Sequence, residues 1–166
     1  MEPKSVLNSR GRLGDNAGHK AELSGLMAGA IVMTLDGEMP VEFLSPGDRV
    51  VTRDTGMAIV RAVRPRRIIG NAVGIMAGSL GHTRPERDVM IPADQELLIR
   101  DWRAAALVGA CQAMIPAARL VDGEYVTLHS NVEMTVYDIE FDRAHVIYAD
   151  GLELASAPVS DFAIAA

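Results

Sequence analysis

The chain has 166 residues, 49% of them hydrophobic, a net charge of −6 and a single cysteine, Cys111. This length and apolar content fit one domain with a real core and exclude global disorder. The lone cysteine excludes an internal disulfide and multi-cysteine zinc sites. No stretch reaches the ~18 apolar residues of a membrane span, and an overall acidic chain is by default a poor nucleic-acid binder, since phosphate contacts need clustered Lys and Arg.

Residues 1–22 are polar and glycine-containing and are expected to form a flexible tail. They hold no apolar segment of the signal-peptide kind, so the expected location is cytoplasmic by default, with non-classical export left open. From Leu23 onward the texture is that of a β protein. Residues 30–34 are a short apolar strand closed by the turn pair Asp36-Gly37, and residues 41–44 a second strand closed by Ser45-Pro46-Gly47-Asp48. Residues 49–52 and 57–63 should pair as a hairpin across Asp54-Thr55-Gly56. Arg61, Arg64, Arg66 and Arg67 read as the solvated face of a strand. Gly70-Asn71 reads as a break.

Strands are expected again at 88–91, 96–99, 125–128, 135–141 and 145–148, with short helices within 102–110 and 116–121. Residues 157–166 read as a second tail. Turn signals recur about every ten residues, as in a compact all-β domain. The expected core is Ile31, Val41, Leu44, Val50, Ile59, Val60, Val89, Ile91, Leu97, Ile99, Val136, Ile139, Phe141, Val146 and Ile147.

Three blocks, in order, carry a resemblance. The first runs from Gly29-Ala30-Ile31-Val32-Met33-Thr34 through Pro40-Val41-Glu42-Phe43-Leu44-Ser45-Pro46-Gly47-Asp48-Arg49-Val50-Val51-Thr52. The second is Ala77-Gly78-Ser79-Leu80-Gly81 with Arg87-Asp88-Val89-Met90-Ile91. The third is Glu140-Phe141-Asp142-Arg143 with Val146-Ile147-Tyr148-Ala149-Asp150-Gly151. Together they resemble the Hint (Hedgehog/intein) superfamily, in particular its stand-alone bacterial branch, over roughly residues 24–156. The resemblance implies an all-β horseshoe of mostly antiparallel strands with pseudo-twofold halves and one or two short helices. It also implies autoprocessing chemistry. A Cys or Ser at the domain start attacks its own preceding carbonyl, a central-block His protonates the leaving nitrogen, and backbone N–H groups hold the oxyanion.

Carried over residue by residue, that chemistry is missing from this chain. The nucleophile position, four before Gly29, is Gly25, which has no side chain. Ser24 lies one residue too early and would act only if the local chain slipped by one. The central His falls at Gln95, which hydrogen-bonds but does not shuttle protons near pH 7. Asp94 and Glu96 beside it read as a polar turn and an outward strand residue. The closing His falls at Ala144. His145 is one position later, hence on the opposite strand face, and reads as a partly buried strand histidine.

His129-Ser130-Asn131 reads as a loop between strands rather than a His-Asn splicing terminus. Cys111 reads as a small buried hydrophobe. His82, His129, His145 and Asp94 lack the spacing of a metal site, so no metal or cofactor is expected. The overall expectation is a Hint-like domain inactive in autoprocessing, a binding or scaffold module whose partner is a peptide or protein segment in the groove. The alternative is residual self-cleavage at Leu23-Ser24 by an N-to-O acyl shift. Gly25, Gln95 and Ala144 are expected to cluster at one end of the groove.

Overall fold

A computed structural model describes residues 23–159; the expected tail 1–22 and residues 160–166 lie outside them. Twelve strands and a single α-helix make up the described chain, all strand pairings being antiparallel. In chain order the strands are β1 (Leu26–Met27), β2 (Ile31–Thr34), β3 (Gly37–Pro40), β4 (Arg49–Thr52), β5 (Gly56–Ile59) and β6 (Ala62–Ile75). The second set is β7 (Val89–Pro92), β8 (Glu96–Ile99), β9 (Ala113–Pro116), β10 (Val126–Glu140), β11 (Val146–Ala149) and β12 (Leu152–Ala155).

One sheet has the order β1-β10-β6-β7. The other runs β3-β2-β4-β11-β12-β8-β9, with β5 on β4 and β2 also touching β11. In the first sheet each half of the chain supplies one edge strand, β1 or β7, and one long central strand, β6 or β10. Local geometry repeats the relation. In one half β2 and β3 pair Ile31 with Pro40; in the other β8 and β9 pair Glu96 with Pro116. Each proline, at φ −56° and −59°, caps a short 3-10 turn, Val41–Phe43 or Ala117–Leu120. Proline's fixed φ presets the extended backbone, ψ 140° and 139°, from which each turn starts. The turns bury Val41 and Leu44 in one half, Ala117 and Leu120 in the other. The halves differ in their hairpin connections. Leu35-Asp36 suffices between β2 and β3, whereas residues 100–112 hold helix α1 (Trp102–Val108), capped by the Asp101 carboxylate and by left-handed Gly109.

Several sequence expectations are corrected here. Residues 41–44 are not a strand; the pairing run is the polar Gly37–Pro40, selected by the two-residue turn before it. Residues 116–121 hold a 3-10 turn only. Gly70-Asn71 breaks nothing, because β6 passes through as one 14-residue strand. A Cβ on Gly70 would collide with the Leu23 side chain, so this glycine marks a close approach rather than a turn. The strands expected at 125–128 and 135–141 are one strand, β10, and His129-Ser130-Asn131 is not a loop. It forms a bulge where the register against β6 shifts, with Asn131 at φ 55°.

Most expected core positions are buried, among them Val41, Val50, Leu97, Ile139, Phe141 and Ile147. Ile59 is the clear exception at 53% exposed. It pairs with exposed Arg49, while Ala58 and Val60 turn inward; strand alternation does not let Ile59 and Val60 share a face. Ile31, Val89 and Val146 are half-buried. The main core spans both sheets, and a small second cluster of Ala72, Met134 and Val136 lies in the β6–β10 ribbon.

Candidate functional site

The chain reaches β1 through Leu23-Ser24-Gly25, whose backbone is held from two sides, by the β7–β8 turn and by β6. The Leu23 carbonyl accepts from the Asp94 N–H at 3.0 Å. The Ser24 carbonyl accepts from Arg66 Nη2 at 2.8 Å. The Gly25 N–H donates to Gln95 Oε1 at 2.8 Å. The peptide bond between Ser24 and Gly25 is thus held at both ends.

Gln95 precedes β8 in the tight turn after Pro92 and is 3% exposed. Its amide nitrogen donates to the Ala155 carbonyl at 2.8 Å and the Glu96 carbonyl at 3.1 Å. Only this amide orientation sets the oxygen against an N–H and the nitrogen against two carbonyls. The side chain therefore ties together the starts of β1 and β8 and the end of β12.

Arg66 stands on β6 opposite Val136. Its Nε donates to Asp138 Oδ2 at 2.8 Å, leaving Nη2 to reach the Ser24 carbonyl. Sequence reading placed Arg66 on a solvated strand face. It is instead 28% exposed and pinned, as is Asp138 at 26%. A carboxylate two strand positions from an inward residue gave no signal for this pair; only the β6–β10 register brings them together. Arg64 similarly meets buried Glu140 at 2.7 Å, and Arg67 pairs with Glu133 on the surface.

Gly25 is required by its backbone. At φ +113° an L side chain is strained, and an added Cβ would meet Asp138 Oδ1 at 3.0 Å and Val136 Cβ at 3.2 Å. Gly25, Gln95 and Ala144 all line one cavity of about 380 Å³, together with Ser24, Asp138 and Ala157. The Ala157 N–H donates to the Ile139 carbonyl, so the chain stays docked one residue beyond Ser156.

His145, next to Ala144, goes elsewhere. Its ring is 3% exposed and sits edge-on to Phe141. Nδ1 meets Asp54 Oδ2 at 2.8 Å and Nε2 meets Asp142 Oδ1 at 3.1 Å. Its own N–H donates to Ser156 Oγ. Both ring nitrogens are occupied, so His145 is a structural link between the β4–β5 turn and the end of β10. The contact holds the Asp142 carboxyl below its usual range. At Asp54 burial works the other way, but the hydrogen bonds from His145 and the Val146 N–H outweigh it and the carboxyl is again lowered.

The remaining candidates are scattered. Cys111 is exposed, which corrects the buried reading. His82 and His129 are exposed, the latter against Thr127 Oγ1 at 3.0 Å. Among the described residues no three His, Cys, Asp or Glu side chains are grouped to hold a metal ion, and no helix is long and apolar enough to cross a membrane.

The sequence profile of the Hint domain matches residues 24–159, four-fifths of the chain. The chain belongs to the Hint domain family. Solved structures agree on the fold. A bacterial intein-like domain from Clostridium thermocellum superposes with a TM-score of 0.55 at 17% identity, over 81% of this chain and 98% of its own. A DnaB intein from Synechocystis sp. PCC 6803 gives 0.52 at 12% identity, covering 82% and 100%. The MchDnaB-1 intein gives 0.51 at 14%, covering 79% and 98%. No curated protein matches the chain. At these identities the structural likeness speaks for the Hint fold and not for any activity of this Hint domain.

Proposed function

We propose that this Hint domain is inactive in autoprocessing and serves as a binding or scaffold module, with a peptide or protein segment seated in the cavity beside Gly25, Gln95 and Ala144. What carries the reading is the state of the Ser24–Gly25 peptide bond. Its N–H is held by an amide and its carbonyl by a guanidinium. Neither group exchanges a proton near neutral pH, and the residue that follows the bond has no side chain. Acyl shift needs a side-chain nucleophile and departure of the amine needs a proton donor; at this bond both are lacking. The cavity offers a segment both apolar and acidic residues, among them Leu26, Tyr137 and Ile139 with Asp94 and Asp138.

A second reading, residual self-cleavage at Leu23-Ser24, draws support from one contact. The Leu23 carbonyl accepts the Asp94 N–H, a donor placed as an oxyanion would need it. The intact mass of the purified chain after long incubation with hydroxylamine or dithiothreitol separates the two. An unchanged mass is expected. Release of the first 23 residues would restore Ser24 as a nucleophile and remove the non-catalytic reading. Binding is tested by selection from a displayed random-peptide library. Enriched peptides should lose affinity about tenfold or more for Ala144→Trp, which fills the cavity; peptides indifferent to that change would refute the proposed seat.

A further inference from the structure

Away from the Gly25 cavity, Glu153 in the middle of β12 gathers three arginines. Its side chain is 1% exposed. Arg100 Nη2 lies 2.9 Å from Oε1, Arg84 Nη1 3.3 Å and Arg53 Nη1 3.4 Å. All three reach the same oxygen; Oε2 is buried and has no hydrogen-bond partner. One guanidinium would neutralise the carboxylate, so the cluster holds two positive charges in excess, in a chain whose net charge is −6. The arginines come from separate places, the end of β4, the β6–β7 connection and the end of β8. Three independent segments therefore converge on one point.

The contacts leave the guanidiniums open. Each touches Glu153 through a single nitrogen, so none forms the two-nitrogen fork that saturates an Arg–carboxylate pair. Each guanidinium carries five donors, and among the described residues no second acidic partner of Arg53, Arg84 or Arg100 is seen. Each is about one-third exposed. Beside them opens a cavity of about 530 Å³, lined by Arg84, Arg100 and Glu153 with His82 and Asp101. Asp101 adds no free charge, since it pairs with Arg103 and caps α1.

We propose that this cavity is a binding site for a dianionic tetrahedral oxyanion, a phosphate or phosphomonoester group, held by Arg84 and Arg100 with Arg53 behind them. The excess charge matches a dianion, and open guanidinium forks suit phosphate oxygens. Glu153 is the internal counterion that keeps the three arginines together when the site is empty. A monocarboxylate carries half the charge and one pair of oxygens, so it is the weaker ligand.

The test is a titration of the full chain at pH 7.5 and constant ionic strength, with chloride as the balancing ion. Phosphate monoesters are mostly dianionic there. Inorganic phosphate and glycerol 3-phosphate are added separately, with acetate as control, and melting temperature and 31P line width are followed. Ligand binding to the native state alone raises the melting temperature saturably. A saturable rise with phosphate and not with acetate is expected. A comparable rise with the ester assigns the site to phosphomonoesters, and a rise with inorganic phosphate alone to the free ion. Arg84→Gln should weaken binding about tenfold, as should Arg100→Gln, since a charged hydrogen bond contributes about that much. Should either fail to fold, Arg84→Lys keeps the charge and loses the fork, and several-fold weaker binding is expected. No saturable rise, a rise equal with acetate, or affinity unchanged in the folded variants would overturn the site.

Discussion

Gln95, just before β8, and Glu153, on the neighbouring β12, are both buried polar side chains, and they are satisfied in opposite ways. Gln95 makes three hydrogen bonds to three backbone groups, using both its donors and its oxygen. Glu153 receives three cations on one oxygen and none on the other. A closed network of neutral groups fixes chain segments and gains from every partner it keeps. An unbalanced ionic cluster costs desolvation and holds donors in reserve. The contrast assigns Gln95 to architecture and Glu153 to recognition.

The largest expected effect is that of Gln95→Ala. Removing the amide strands the Gly25 N–H and two carbonyls, so unfolding free energy should fall by about 3 kcal/mol, on the order of 1 kcal/mol or more per stranded group, as read by urea denaturation. A loss below about 1 kcal/mol would show the network to be dispensable and erase the contrast. Gly25→Ala comes next. The left-handed backbone and the close approach of Asp138 and Val136 predict a loss of about 2 kcal/mol in the same measurement. For that reason Gly25→Cys, even combined with Gln95→His, is expected to leave the chain uncleaved in an intact-mass assay, because the nucleophile would enter a strained position.

Glu153→Gln sharpens the other side. Three guanidiniums then lose their counterion, but each is partly in water, so a loss of about 1–2 kcal/mol is expected. Added phosphate should stabilise the variant more than the parent chain, recovering much of that loss. Equal stabilisation of both would mean that the cluster senses ionic strength alone.

The smallest effect is confined to acid. The folded state holds the Asp54 and Asp142 carboxyls below the ordinary value of 3.8 through His145. A lowered folded pKa gives stability that is present above the unfolded value and lost as pH falls through the folded one. Stability should therefore drop below about pH 3.8, and His145→Gln should shallow that acid limb. An acid limb identical in the two proteins would place its origin elsewhere.

Much of this molecule is legible in the sequence by itself. Short β-branched runs between turn signals fix an all-β chain, because side-chain alternation and turn chemistry are local properties. The three ordered blocks mark the Hint fold. They also mark Gly25, Gln95 and Ala144 as positions to examine, since those depend on counting along the chain. What the sequence did not reveal depends on register and on contacts between distant segments. Gly70 carries a turn signal, yet its pairing with Val132 of β10 carries β6 straight through it. The run at 41–44 looks like a strand, but the hairpin ahead of it uses up the pairing register and leaves a 3-10 turn. Arg66 looks like solvated charge until the β6–β10 register brings Asp138 beside it and the Ser24 carbonyl within reach. Arg53, Arg84, Arg100 and Glu153 are spread over 100 residues with no motif among them, and only tertiary packing brings them to one point. Local pattern determines which elements form. Which charges meet is decided by the long-range closure of the two sheets, where electrostatics acts through space and not along the chain.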